Sequence, residues 1–523
     1  MRTLDFARTP LASALLSGAL LAFTTAVYGQ TVTSAVKQDV SAPLSSIPAP
    51  PPKAQAAFMK LHRVKLIPAP PAKQAAAADT ALQKTAAAPL PISAVDFFEG
   101  IGGGLPAFQV TSFPADTTGA AGTTQYVQWV NTSFVVFNKA TKLAVLGPID
   151  GSILWKNFGG NCENFNDGDP IVLFDRMANR WILSQFAVSG SPFSQCIAVS
   201  TSADATGSYN RYEYQYQDFN DYGKFGVWPD AYYASFNMFA GNTFRGSKVC
   251  AYERDKMLSA AAARMVCFDV PAQGGLVPSD LDGTSAPPTG SPNFVMNLGG
   301  DRLNMWRFKV DWANPSNSAL TGPVVVRTAP FEQACRNAPL AGSCIVQPKT
   351  PQRLDALADR LMFRLSYRNF GTHESLVVNH TVAVTSTRAA VRWYEVRGPN
   401  ATPQIHQQGT YAPTTSSRWM GSTAQDKKGN LAIGYTVSGA SVFPSIRFAG
   451  RQATDPPGKL AAERQVAGAI GKGSQKNTDR WGDYSTLTLD PTDDCTFWYS
   501  AQYQASSSEW HTKIVRFKFN SCQ

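Results

Sequence analysis

Apolar residues along this chain gather in short runs, among them Ser133-Phe-Val-Val-Phe137, Ile171-Val-Leu-Phe174, Tyr232-Tyr-Ala-Ser-Phe236, Ser375-Leu-Val-Val378 and Ser485-Thr-Leu-Thr-Leu489. They are rich in β-branched and aromatic residues and are bounded by polar ones, which predicts strands. Short polar turns that begin on Asn or Asp stand between apolar runs: Asn138-Lys-Ala-Thr-Lys142, Asp175-Arg-Met-Ala-Asn179, Asp426-Lys-Lys-Gly-Asn430 and Asp490-Pro-Thr-Asp-Asp494. An Asx side chain in first position accepts hydrogen bonds from the backbone just ahead, so each turn predicts a tight hairpin. A further signal, Trp-x-[Asn/Asp/Gly], recurs at Trp129-Val-Asn131, Trp228-Pro-Asp230, Trp419-Met-Gly421 and Trp481-Gly-Asp483, ahead of β-like runs. A strand-turn-strand unit repeated along a chain predicts an array or ring of sheets, because one unit cannot bury its faces alone.

Heads of innermost strands are expected near Asn131, Asp169, Asp230, Asp301, Glu374, Gly421 and Asp483. The body from about residue 96 to residue 523 then allots roughly 60 residues to each unit, enough for four strands and their loops. The expected fold is all-β, a β-propeller of seven four-stranded blades, with six or eight as the alternatives. Uneven spacing of the heads calls for long loops on some blades, and loops are where function concentrates.

The propeller is expected to start well inside the chain. Residues 1–29 combine Arg2 and Arg8 with an apolar stretch and small residues near Gly29, the make-up of a cleaved secretory signal, with an uncleaved anchor as the alternative. Residues 30–95 are dominated by Ala, Pro, Ser, Lys and Gln, including Pro48-Ala-Pro-Pro-Pro52. Such a composition cannot bury enough apolar area to fold alone and predicts a linker or propeptide ahead of the 96–523 domain.

Charge sharpens this division. Residues 1–95 carry nine Lys/Arg against three Asp/Glu, so +6 of the formal net charge of +10 precedes the body and +4 remains on it. That excess gives no footing for nucleic-acid binding. No later segment has the eighteen or more uninterrupted apolar residues of a membrane span. The eight cysteines fall as four neighbouring pairs, Cys162 with Cys196, Cys250 with Cys267, Cys335 with Cys344 and Cys495 with Cys522. Eight cysteines allow 105 pairings, of which this is the most local. Behind a secretory signal they predict disulfides rather than metal thiolates, and a secreted, monomeric protein.

In a propeller the residues heading the innermost strands converge at one mouth of a central channel. Asp169, Asp230, Glu374 and Asp483 are therefore the candidate catalytic carboxylates, since convergent acids can push their pKa values apart or share a cation. The structural alternative is that they cap turns. Arg302, Arg418 and Arg480 stand near strand heads, where guanidinium groups can clamp an anion or pair with the neighbouring acids. His373 joins them as a candidate substrate contact, and Trp228 and Trp481 as a sugar-stacking shelf; position-for-position repetition favours the tryptophans as wedges between blades. His373 and His380 are seven apart in a β-branched run, which is not the helical four-residue spacing of a zinc-protease pair. No metal or cofactor is expected, with calcium at Asn164-Phe-Asn-Asp-Gly-Asp169 as an alternative that lacks the EF-hand order.

Ser202-Ala-Asp-Ala-Thr-Gly-Ser-Tyr209 resembles the sialidase Asp-box with one residue inserted and Tyr in place of Trp. Gly168-Asp-Pro-Ile-Val-Leu-Phe-Asp175, Arg418-Trp-Met-Gly-Ser422, Arg480-Trp-Gly-Asp-Tyr-Ser485 and Pro491-Thr-Asp-Asp-Cys-Thr-Phe-Trp-Tyr499 are similar to stretches of a family of secreted bacterial propellers grouped with the sialidase-like superfamily. The resemblance implies the fold and an extracellular address for the body from about residue 100, and no catalytic residue. Two functional classes follow: a hydrolase or lyase acting on an acidic extracellular polysaccharide at the channel mouth, or a non-catalytic carbohydrate- or surface-binding propeller.

Overall fold

Seven four-stranded antiparallel meanders succeed one another in a computed structural model, whose described residues are 28–48, 60–61, 67–68, 78–86, 88–93, 95–102, 105, 112–338 and 342–523. Of the expected signal only Tyr28 and Gly29 fall within them; residues 1–27 lie outside. The first strands of the meanders are Thr117–Ala121, Ile171–Asp175, Phe219–Val227, Val277–Asp282, Met362–Asn369, Ser417–Gln425 and Thr486–Leu489. Each packs against the next, and the last packs against the first. A closed cycle of inner strands with further strands stacked outward is a β-propeller.

The crowded axis explains the composition of these inner strands. Thr117–Ala121 reads Thr-Thr-Gly-Ala-Ala, and a Cβ on Gly119 would lie 2.4 Å from the Tyr126 hydroxyl. In Phe219–Val227, a Cβ on Gly226 would lie 2.3 Å from the Ser279 carbonyl oxygen of the next inner strand. There, glycine permits close backbone approach. One junction goes further. Ser279–Asp282 pairs in parallel with residues 365–368, so the fourth and fifth meanders form one continuous hydrogen-bonded sheet.

The ring closes with both ends of the body in one sheet, since Asp96–Glu99 is the outermost strand of the last meander and pairs with Trp510–Phe517. Cys495–Cys522 staples that same meander. The other expected disulfides, Cys162–Cys196, Cys250–Cys267 and Cys335–Cys344, are also formed. Trp129, Trp228, Trp419 and Trp481 are at most 3% exposed and lie in the hydrophobic cores. Full burial of a large apolar side chain stabilises by about 1.5–3 kcal/mol. Among the described residues no helix is long and apolar enough to cross a membrane.

All four predicted turns are hairpins, and their first residues do what Asx chemistry requires. Oδ1 of Asn138 accepts from the amides of Ala140 and Thr141, Oδ1 of Asp175 from Met177 and Ala178, Oδ1 of Asp426 from Lys428 and Asn430, and Oδ1 of Asp490 from Thr492. The Ser202–Tyr209 stretch joins the third and fourth strands of its meander, with the Asp204 carboxylate accepting from Thr206.

The segment expected as a bare linker departs from that expectation. Gln30–Ser34 is a fifth strand on the third meander, Lys37–Val40 a fifth strand on the second, and Leu82–Gln83 lies parallel to the edge of the fifth. Leu44 is buried, and Arg211 forks onto Asp39 at 2.7 and 2.6 Å. Strand addition is held by backbone hydrogen bonds to an open edge and needs no apolar composition. Hence the polar segment carries no sequence signal for it.

Candidate functional site

Strand alternation gives the ring two ends. Inner strands start at what we call the head end, which also carries the second-to-third hairpins of each meander; they finish at the tail end, with the first-to-second hairpins. Five stretches bring charge to the head end: Asp116 just before Thr117, Asp169 just before Ile171, Asp221 and Lys224 within Phe219–Val227, Asp355 to Arg360 ahead of Met362, and Arg480 to Tyr484 ahead of Thr486. The backbone is left-handed at Asp116 (φ 47°), Asp169 (46°), Tyr222 (55°) and Asp483 (57°). Such conformations cost about 1–3 kcal/mol each for non-glycine residues and cluster at functional sites.

At the centre lies Lys224, fully buried, its Nζ 3.6 Å from the ring centroid of Tyr222 and 3.9 Å from that of Tyr484, donating to the Gly223 carbonyl at 3.0 Å. Burial lowers its pKa to about 8, against the opposing pull of Asp169, Asp116 and Asp483. Asp169 Oδ2 accepts from the Tyr222 amide at 3.2 Å, and the Tyr222 hydroxyl donates to the Asp483 carbonyl at 3.3 Å. Asp483 accepts from Arg480. Arg360 forks onto Asp359 at 2.7 and 3.0 Å and lies over the Tyr222 ring. Asn131 donates to Asp116 Oδ2 at 2.6 Å and to the Pro114 carbonyl at 3.0 Å.

The carboxyls crowd one another. Burial, then the charges of Asp483 and Asp169, push the Asp116 pKa well up. Burial raises Asp169 too, with Lys224 opposing. Burial and Asp169 push Asp221 to about 7, and burial pushes Asp355 to about 7. Acids near neutrality beside a low-pKa amine are the raw material of acid/base chemistry.

Of the residues expected at the mouth, Asp169, Asp483 and Arg480 come together there, with Asn131 beside them. Trp481 is at that end but buried against Trp419, ring centroids 6.0 Å apart, so it offers no stacking face. Four others are corrected by position. Asp230 with Trp228, and Glu374 with His373, sit in or beside first-to-second hairpins, at the tail end. Trp228 is 1% exposed. Asp230 accepts from the Tyr233 hydroxyl at 3.2 Å, and Glu374 from Tyr367 at 2.6 Å and Asn400 at 2.7 Å. The physical reason is that Asx turn chemistry is the same at both ends of a meander. Their runs, Tyr232–Ala240 and Glu374–Thr385, are second strands and not innermost ones. Arg418 is buried and forks onto Glu463 at 2.9 and 2.7 Å. Arg302 opens a third strand of the fourth meander, near Asp301 at 3.6 Å.

Asp116, Asp221, Lys224, Asp355 and Arg360 had no sequence signal. Asp221 and Lys224 fall in a strand with a register shift between them, which breaks the alternation that would have marked it. The candidate calcium loop faces the protein: Asp167 accepts from the amides of Val188 and Ser189 at 2.7 and 2.8 Å, and Asn166 donates to the Thr132 carbonyl. Among the described residues no group of three His, Cys, Asp or Glu side chains is placed to hold a metal.

The tail end is charged as well, but its buried arginines are each matched to an acid. Arg364 donates to Asp280 at 2.6 Å and to both oxygens of Asp282 at 2.8 and 3.2 Å. Arg368 forks onto Asp494 at 2.6 and 2.7 Å, Arg176 joins it at 2.9 Å, and Arg254 meets Asp175 at 2.7 Å. Although burial works against it, these cations hold the Asp282 carboxyl below the usual range.

No family model matches the chain, and no curated protein matches it. Solved structures similar to it include a polysaccharide lyase described as an ulvan lyase, at 11% identity over 76% of this chain and 91% of that one, with a TM-score of 0.37. The N-terminal domain of Nup159 is similar at 8% identity over 83% and 100%, TM-score 0.32. An exo-β-1,3-galactanase from Phanerochaete chrysosporium is similar at 9% identity over 80% and 100%, TM-score 0.27.

Proposed function

We propose that this is an exported glycan-active protein, a hydrolase or lyase, with its chemistry at the head end of the ring. One observation carries the reading: carboxyls from separate meanders, Asp116, Asp169 and Asp483, are gathered around Lys224, and Asp221, facing Asp169 and Asp483, is poised near neutrality. In this scheme Asp221 serves as the acid, Asp169 as the base or nucleophile, and Arg480 positions Asp483. The four disulfides suit an oxidising, extracellular address. Of the three arginines expected to clamp an acidic polysaccharide, Asp483 engages Arg480, Glu463 engages the buried Arg418, and Arg302 lies beside Asp301.

The test is turnover of uronate, amino-sugar and neutral oligosaccharides by purified protein. Asp169→Asn and Asp221→Asn are expected to lower turnover by about 10²-fold or more with melting temperature retained, while Glu374→Gln and Asp230→Asn leave it unchanged. Binding with no turnover of any glycan, unaltered in the variants, would replace catalysis with the lectin-like alternative.

A further inference from the structure

Six carboxyl groups gather at the head end, those of Asp116, Asp169, Asp221, Asp355, Asp359 and Asp483, against three cations, Lys224, Arg360 and Arg480. Every one of those cations is already committed. Lys224 is clasped between two tyrosine rings, Arg360 is forked onto Asp359 and Arg480 is bonded to Asp483. An anion arriving among these nine groups would meet more acids than cations, and each of the three cations is already engaged.

The surplus is on the acceptor side. Asp116 and Asn131 are each 1% exposed, and Oδ1 of each has no hydrogen-bond partner. Asp116 faces Asp483 and Asp169 and, on the opposing side of the balance, Arg480 and Lys224, while Asn131 Oδ1 lies 2.5 Å from where a Cβ on Gly168 would be. Buried acceptors without donors are costly, and the deficit is relieved by a ligand bringing N–H, O–H or positive charge. Asp169, Asp221 and Asp359, half-buried, are the members of the group that solvent reaches.

We infer that the head end takes a glycan carrying positive charge, a polymer of amino sugars with free ammonium groups, and not an anionic one. This rests on the glycan-active reading and gives it a substrate class. A cation seated among these acids favours their ionised forms, so binding releases protons from the protein near neutral pH. The groups facing Asp221 are Asp169, Arg360, Asp483 and Arg480, and the arginines keep their charge throughout.

The experiment is calorimetric titration of the full exported protein at pH 5.5, where the amino groups of the ligand already carry their protons, in two buffers of different ionisation heat, with tetramers of glucosamine, N-acetylglucosamine and galacturonate. The glucosamine tetramer is expected to bind at least tenfold more tightly than the other two, with net proton release. Asp221→Asn, near-isosteric and checked by its melting temperature, is expected to weaken binding at least fivefold and to reduce the release. Tightest binding of the uronate or the acetylated tetramer overturns the inference while leaving the glycan reading in place; so does glucosamine binding that ignores Asp221→Asn and releases no protons. No binding of any tetramer removes both.

Discussion

The two ends of the ring are both charged and both largely buried, yet they use charge in opposite ways. At the tail end buried carboxylates meet guanidinium groups at 2.6–2.8 Å, Asp280 and Asp282 with Arg364, Asp494 with Arg368 and Asp175 with Arg254. Desolvation is offset there by attraction and hydrogen bonding from the guanidinium groups, and the Asp282 carboxyl is held below the usual range. At the head end acids outnumber cations, acceptor oxygens of Asp116 and Asn131 lack donors, and pKa values move toward neutrality. A matched network holds strands together. A mismatched one on a left-handed backbone stores electrostatic strain that a ligand can relieve.

The largest expected effect breaks the matched end. Arg364→Leu leaves Asp280 and Asp282 buried without their partner and is expected to cost about 3–5 kcal/mol in urea unfolding; a cost under about 1 kcal/mol would show that the tail end is not the better-satisfied one. Lys224→Met at the head end is expected to cost less, about 1–2 kcal/mol at pH 8 and less at pH 5, because the surrounding acids can take up protons in its absence. A cost equal to that of Arg364→Leu would erase the distinction between the ends.

The smallest effect concerns pH. The folded pKa of Asp355, about 7, lies above its value in the unfolded chain. Its favourable contribution is therefore complete below pH ~4 and is lost as the pH rises through 7. Asp355→Asn is expected to raise stability by about 1 kcal/mol at pH 8 and to change nothing at pH 4, measured by thermal melts at both. Equal effects at the two pH values would mean that Asp355 is not forced toward its neutral form.

Turn chemistry was the most legible part of the chain. Asn138, Asp175, Asp426 and Asp490 each bond their own following amides, an interaction decided within four residues and so visible in sequence. The disulfide pairs were legible for a related reason, since partners 9 to 34 residues apart fall within one meander or its loops. Which strand lies innermost was not. Thr117–Ala121 and Val277–Asp282 are buried throughout, so they lack polar alternation, and their small or charged residues suit a crowded axis better than a strand pattern. The expected heads at Asp230 and Glu374 were drawn instead from second strands, whose aromatic and β-branched runs are the stronger local signal.

The amino-acid sequence by itself determined the β character, the hairpin turns, the local cystine pairs and the idea that acids from distant parts of the chain meet, because hydrogen-bonding range and apolar periodicity are local properties. Only the tertiary structure decided which acids those are. Ring closure sets Asp116, Asp221 and Lys224 beside Asp169 and Asp483 and sends Asp230 and Glu374 to the far end, since the direction in which each strand crosses the ring is a property of the whole assembly and of no single segment.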